Sequence, residues 1–419
     1  MAKTILLIGA FDTKDADYAF VRDRILRRGY RVLSVNTGVL GTTDRFPIDI
    51  EAAEVAAAGG ASLQSLRAAQ DRGQAMKVMS AGARQVLSRL FEEGRFDGVI
   101  GMGGTGGSSV VTTAMQVLPV GVPKVCVSTV ASGDTSPYVG LKDVVLIPSI
   151  VDVAGLNRVS RIIYARAAGA ICGMVEEEVG EEAENAVRPV IAASMFGNTT
   201  QCVDACALAL DKTGYEVLVF HATGTGGRTM ESLVDAGLIN AVLDITTTEW
   251  ADEVCEGVFS AGADRLSAPG RRGLPHLIVP GCVDMANYNG PEAVPERYRD
   301  AGRLFYDWNP TVTLMRTNVE ENQRMGEVFA EKANAATGPV AFLLPLKGVS
   351  ILDGDGELFC DREADTAMFA ALKKGLNKDI PVYEIDTNIN DPAFSQRAVA
   401  LMLELISAAS GDGNSSTEV

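Results

Sequence analysis

The 419-residue sequence holds two histidines, two tryptophans and only 6% aromatic residues. His221 and His276 are therefore the sole imidazoles, and no H-E-x-x-H, no G-x-S-x-G elbow and no recognisable triad occurs. That removes the common zinc-protease and α/β-hydrolase chemistries. The seven cysteines (126, 172, 202, 206, 255, 282 and 360) are odd in number and lack metal-type pairing, which argues against a zinc module or a disulfide scaffold. Cys202 and Cys206 stand one helical turn apart, a spacing that suits core packing. No apolar run reaches the ~18 residues a bilayer span needs. Met1-Ala2-Lys3-Thr4 leads straight into the strand-like Ile5 to Ile8, so no signal peptide is expected. Positive charge is scarce: 37 Lys and Arg face 54 Asp and Glu, a net charge of -17. Neither nucleic acid nor an anionic membrane suits such a chain. A reduced, cytoplasmic protein is expected. The length suffices for two or three domains, and 47% hydrophobic with 22% charged residues is ordinary globular composition.

Glycine is what the chain has in quantity, and it is concentrated. Phe96 to Ile100 reads as a buried strand, and six glycines fall among residues 98–107 before a helix-compatible segment, Val110 to Val117. A strand, a glycine turn and a helix N-terminus together form an anion site. Glycine lets a ligand approach the backbone, and the first helical turn offers free N–H groups at the positive end of the dipole. The alternative is that the glycines only let a helix pack against the sheet. Residues 101–106 spell G-x-G-x-x-G, but the turn follows a later strand, and the next one, Lys124 to Val130, ends in Ala131-Ser132-Gly133 without a ribose-binding acid. No G-K-[ST] follows, so this is neither the dinucleotide fingerprint nor the common P-loop.

The remaining chain alternates strands and helices. Residues 4–10 give a strand, Asp15 to Arg28 a helix and Arg31 to Val35 a second strand, a β-α-β opening that implies a parallel sheet. Residues 39–75 depart from the alternation, as a lid or partner surface does. An acidic break at 176–184 suits a linker. The second half starts again. Pro189 to Ser194, a helix to Lys212, Gly214-Tyr215 and Glu216 to Phe220 parallel residues 4–35, followed by a second Gly-Thr-Gly-Gly at 224–227. Either a divergent repeat or chance likeness between two α/β domains explains this. Asn287 to Pro310 reads as loop, and Gly411 onward as a disordered tail. The expected domains are 1–180, 186–410 and the tail 411–419.

Ligands of open α/β sheets lie at the carboxyl ends of the strands. In the first half these ends carry Asp12, Thr13, Lys14, Thr37, Gly104 to Gly107, Ser132 and Asp134. Lys14 supplies the local positive charge that phosphate needs, while Asp12 could orient Lys14, bind a ribose or hold Mg²⁺. Singly, each is equally a turn former or helix cap. Arg72 either reaches phosphate or is an exposed helix-start arginine. In the second half the matching residues are Asn198, Thr199, Thr225, Gly226, Gly227, Asp284 and Lys347. His221, at a strand end, is either a general base or a hydrogen-bonded structural histidine.

Several long motifs resemble one family. They are Ile8-Gly9-Ala10-Phe11-Asp12-Thr13-Lys14, Gly98 to Ser108, Pro123 to Gly133, Leu146-Ile147-Pro148-Ser149-Ile150-Val151-Asp152-Val153 and Thr313-Leu314-Met315-Arg316-Thr317. The chain is similar over nearly its whole length to the uncharacterised ATP-binding family typified by the tomato mosaic virus resistance protein of plants. The resemblance implies two Rossmann-like, doubly wound α/β domains with mostly parallel sheets, ATP on the first, and a homo-oligomer. Matched to the family's ATP contacts, the motifs point to Asp12, Thr13, Lys14, Thr37, Arg72, Gly104, Thr105, Gly106 and Gly107. Ala10-Phe11 replaces a threonine and an alanine, and Thr105 a serine. The plant members carry a further barrel-like domain after this region, so their antiviral role is not carried over. The expectation is an ATP-binding protein, with Mg²⁺ as a candidate companion and an unknown small molecule near the domain interface. The competing classes are an ATP-dependent phosphotransferase or ligase acting on a small acid and a nucleotide-responsive binder; a dehydrogenase is the weaker third.

Overall fold

The computed structural model describes residues 2–177 and 188–411. The acidic linker from residue 178 and the tail from 412 lie outside the described residues. The chain divides into two units, Met1–Asn185 and Ala186–Val419.

Unit 1 is a five-stranded sheet made of β1 (Thr4–Gly9), β2 (Arg31–Asn36), β3 (Gly98–Gly103), β4 (Lys124–Ser128) and β5 (Val145–Pro148). The strands are parallel in the order β2-β1-β3-β4-β5. Its helices are α1 (Asp15–Leu26), α2 (Ala52–Ala58), α3 (Leu63–Ala69), α4 (Arg72–Glu92), α5 (Thr105–Met115), α6 (Ser136–Val139) and α7 (Arg158–Glu176). Both faces of the sheet are covered, which is why its strands read as unbroken apolar runs. On β1, Leu6 and Ile8 pack with Val86 and Leu87 of α4 and Val111 of α5, while Ile5 and Leu7 pack with Val21 and Ile25 of α1 and Ile171 of α7. The strand period of two sends alternate residues into two cores. Each such fully buried side chain contributes about 1.5–3 kcal/mol.

The excursion at 39–75 holds the two short helices α2 and α3. Ser62 caps the second, accepting from the Ser65 N–H at 3.0 Å. Asp71 then caps α4 through the Gln74 N–H at 3.0 Å.

Unit 2 contains β6 (Val190–Met195), β7 (Glu216–His221), β8 (Ala241–Thr246), β9 (His276–Gly281), β10 (Met285–Tyr288), β11 (Phe305–Asn309), β12 (Val312–Arg316), β13 (Val340–Pro345) and β14 (Val382–Ile385). Six strands form a parallel sheet, β14-β13-β9-β8-β6-β7. Counted from the β7 edge, the strand order within the unit is 2-1-3-4-5-6, that of unit 1 with one strand added. The α/β class with two doubly wound, Rossmann-like units is thus the observed architecture.

Residues 287–310, expected as loop, are turns and short helical segments over 289–304, but 287–288 and 305–309 belong to a three-stranded antiparallel sheet, β10-β12-β11. Its strands are four or five residues long and carry polar residues on buried positions. Asn287 of β10 is fully buried because its backbone N–H and its Nδ2 both donate to Asp252, at 2.8 Å each. Hydropathy cannot register a strand whose interior is satisfied by a distant carboxylate.

Candidate functional site

In unit 1 the strand order reverses between β1 and β3, and the loops leaving these strands open the crevice where such sheets take ligands. Tyr18 of α1 staples the two strands. Its hydroxyl lies 2.9 Å from the Ile8 carbonyl and 2.6 Å from that of Met102, and accepts from the Met102 N–H at 2.8 Å. Gly9 must be glycine here, since a Cβ would lie 1.7 Å from that hydroxyl.

The β1 loop is anchored by Phe11, buried edge-on against Tyr18 and Phe46. Asp12 accepts the Leu40 N–H at 2.8 Å on one oxygen, while its other oxygen is buried without a partner. The Lys14 ammonium donates to the carbonyl of Val153, beyond β5. Among the described residues neither Lys14 nor Arg72 forms an ion pair.

The glycines of the turn differ in their surroundings. A Cβ on Gly101 would meet Val111 at 2.5 Å, and one on Gly103 would meet the Ser108 nitrogen at 2.6 Å. These two glycines let α5 lie on the sheet. A Cβ on Gly104, Gly106 or Gly107 would meet nothing nearer than 3.8, 3.4 and 3.7 Å. Packing does not demand glycine there, and these residues border open space. No side chain caps α5, so the N–H groups of its first turn keep the vacancy intrinsic to a helix start.

Two adjoining pockets meet at this turn. The larger, ≈ 640 Å³, has an apolar wall from Leu66, Met76, Met79 and Val110 and a polar rim that includes Asp12, Thr13 and Thr37. The smaller, ≈ 360 Å³, is lined by Gly104, Thr105, Thr129 and Asp152. Lys14, Arg72, Gly106 and Gly107 line both. The nine residues matched to the family's ATP contacts therefore line these two adjoining pockets, together with Thr129 and Asp152, which the sequence argument passed over. Ser132 and Asp134 do not line it; Asp134 instead accepts from Ser136.

In unit 2 the second Gly-Thr-Gly-Gly is filled from within. One oxygen of the buried Glu249 accepts the N–H groups of Gly224 at 2.9 Å and Gly227 at 3.0 Å; the other takes Arg265 Nε at 2.5 Å. Arg265, itself buried, also meets Asp244 and Glu231. Burial alone would raise the Asp244 carboxyl, but Arg265 and the His276 ring, 2.8 Å away, hold it below the usual carboxylate range. The chain thus supplies its own anion to this turn. Gly226 is required by packing, because a Cβ would lie 1.8 Å from the His221 carbonyl.

Exposed His221 has its Nδ1 3.2 Å from the Met195 carbonyl and its ring against Phe196, with no carboxylate partner among the described residues. Thr199 shares a 2.6 Å hydrogen bond with Thr246, and both are buried. The Asn198 carbonyl accepts from Asn390 at 3.0 Å. Asp284 accepts Ser350 at 2.8 Å, and burial pushes its carboxyl up to about 6 against the pull of Arg316. Lys347 pairs with Asp386.

Comparison with known proteins gives this arrangement a family. The N-terminal domain description of the uncharacterised protein family UPF0261 matches residues 3–180, and its C-terminal domain description matches 188–406. The chain belongs to UPF0261. A UPF0261 protein of Clostridium tetani is 46% identical over 407 residues, 97% of this chain and 99% of that protein. One from Mesorhizobium japonicum is 44% identical over 96% of this chain and 99% of its own length. The tomato ToMV resistance protein Tm-1 is 41% identical over 339 residues, 80% of this chain but 45% of the plant protein.

The UPF0261 recess includes residues that a strand-end search had reason to miss. Leu66, Met76 and Met79 sit on helices of the 39–75 excursion and α4, far from any strand end in sequence. Asp152 lies four residues past β5. Its only sequence signal was membership of the Leu146 to Val153 motif.

Proposed function

We propose that unit 1 of this UPF0261 protein binds a nucleoside triphosphate, ATP, in the recess between the β1 and β3 loops. The observation that carries the reading is the pair of adjoining pockets, one apolar-walled and one polar, joined by Lys14, Arg72, Gly106 and Gly107. The base lies against Met76, Met79 and Leu66. Asp12, with an unpartnered oxygen, takes a ribose hydroxyl. The phosphates run over the first turn of α5, where free N–H groups and the helix dipole favour negative charge. Lys14 and Arg72 offset the repulsion of a chain with net charge -17. Mg²⁺ can accompany the phosphates. The glycine turn of unit 2 is occupied by Glu249, so the reading assigns one nucleotide to each chain.

Self-association, from the family resemblance, and a cytoplasmic setting, from the cysteine usage, belong to the same proposal. All seven cysteines are free and six are buried, in keeping with a reducing compartment. Among the described residues no helix is long and apolar enough to cross a membrane.

Titration calorimetry with ATP, ADP and AMP on the wild type and Lys14→Ala tests the site. Lys14→Ala should weaken ATP about tenfold or more, on the scale of one charge-assisted phosphate contact, and AMP much less. No heat with ATP at millimolar concentration would refute the reading, and equal loss for ATP and AMP would remove Lys14 from the phosphates.

A further inference from the structure

The polar pocket contains a group that nucleotide binding does not require. Asp152 lines it, and among the described residues its exposed carboxylate accepts no hydrogen bond and forms no ion pair. The carboxylate comes within 3.8 Å of the point where a Gly104 Cβ would stand, and Thr129 Oγ1 within 3.9 Å of the same point. Acid and hydroxyl thus converge beside the helix start that the nucleotide reading gives to phosphate. A carboxylate there repels an anion bound at that helix start. A site built only to hold phosphate would do better without it.

The loop presenting Asp152 is held in place. Lys14 donates to the Val153 carbonyl, and the Gly155 N–H donates to Asp17 at 3.0 Å. Val153 is fully buried. Two residues before Asp152, the β-branched Ile150 adopts φ 65 and is 71% exposed. Left-handed backbone is strained at such a residue and persists only where the surroundings impose it. The lysine of the phosphate track therefore positions, through one carbonyl, the loop that carries the acid.

From this geometry we infer that unit 1 is a phosphoryl-transfer site with Asp152 as the proton acceptor, an inference that rests on the nucleotide reading above. The acceptor is water or a small hydroxyl compound held at Thr129. Its oxygen attacks the γ-phosphorus and forms the new P–O bond. The bond from the γ-phosphorus to the β–γ bridging oxygen breaks, and ADP leaves with that electron pair, while the acceptor proton passes to the Asp152 carboxylate and then to solvent. Arg72 and Lys14 balance the charge on the leaving diphosphate. Nothing is oxidised or reduced.

The test uses the full chain with ATP and Mg²⁺, water serving as the default acceptor. ADP formation and calorimetric ATP affinity are measured in parallel for the wild type and Asp152→Asn. The wild type should release ADP above the protein-free rate. Asp152→Asn should lower that rate by about 10²-fold, the lower end for general base catalysis, with ATP bound at least as tightly because a repelling charge is removed. ATP binding without ADP formation, or equal turnover in both proteins, would overturn the inference and leave the nucleotide reading intact. So would a parallel loss of affinity seen only with Mg²⁺ present, which would make Asp152 a metal ligand. Absence of ATP binding in the wild type would sink the nucleotide reading itself.

Discussion

Replacing Glu249 with alanine removes the internal anion of unit 2, and the cost can be worked from its contacts. The side chain is 1% exposed and accepts two backbone N–H groups and one guanidinium nitrogen. Its loss leaves the Gly224 and Gly227 N–H groups buried without partners, at about 1–3 kcal/mol for each unsatisfied group. It also removes one of the three acids around Arg265, a fully buried cation. Breaking such a buried pair costs about 3–5 kcal/mol. The two accounts overlap, because the same carboxylate serves both, so the net expectation is about 4 kcal/mol. Both tryptophans, Trp250 and Trp308, lie in unit 2. Urea unfolding followed by tryptophan fluorescence therefore reports this unit alone, which matters in a two-unit chain where a single global transition is not assured. With a urea slope of about 2–3 kcal/mol/M, the midpoint should fall by about 1.3–2 M. A shift under about 0.3 M would mean that the turn does not depend on Glu249. The same contacts predict one ATP bound per wild-type chain; a second equivalent of similar affinity would mean that an external anion displaces the carboxylate.

Glycines of the unit 1 turn should separate by role. Gly103→Ala drives a Cβ towards the Ser108 nitrogen and should destabilise the protein by about 1–3 kcal/mol in a denaturation experiment. Gly107→Ala should leave stability unchanged or slightly raised yet weaken ATP about tenfold or more by calorimetry; equal effects of the two on stability would refute the division. Unit 2 should also lose stability as pH rises. Burial pushes the Asp252 carboxyl up to about 8, against the bonds from Asn287, while in the unfolded chain it titrates near 3.8. Between these values the folded state holds a proton that the unfolded state has released. Stability then falls by up to about 1.4 kcal/mol per pH unit and levels off above pH 8. The urea midpoint by tryptophan fluorescence should be higher at pH 6 than at pH 8. Asp252→Asn should flatten the slope, and an unchanged slope would show that Asp252 does not titrate in this window.

Periodicity and glycine spacing by themselves determined the α/β class, the parallel β-α-β opening, the restart of the pattern after residue 188, and the turn at 101–107. These are local properties: a strand buried on both faces must be apolar throughout, and a tight strand-to-helix turn must be glycine-rich. The fold around them was decided by contacts distant in sequence. The antiparallel sheet of unit 2 depends on Asn287 finding Asp252, 35 residues away, and Tyr18 joins β1 to β3 across 84 residues. Likewise the two Gly-Thr-Gly-Gly turns are nearly indistinguishable in the sequence. Only the tertiary structure separates them, because Glu249 folds back onto the second, whereas the first faces open space between Lys14, Arg72 and Asp152. Whether a helix start is free or already satisfied depends on which carboxylate the chain brings to it, and no run of neighbouring residues carries that information.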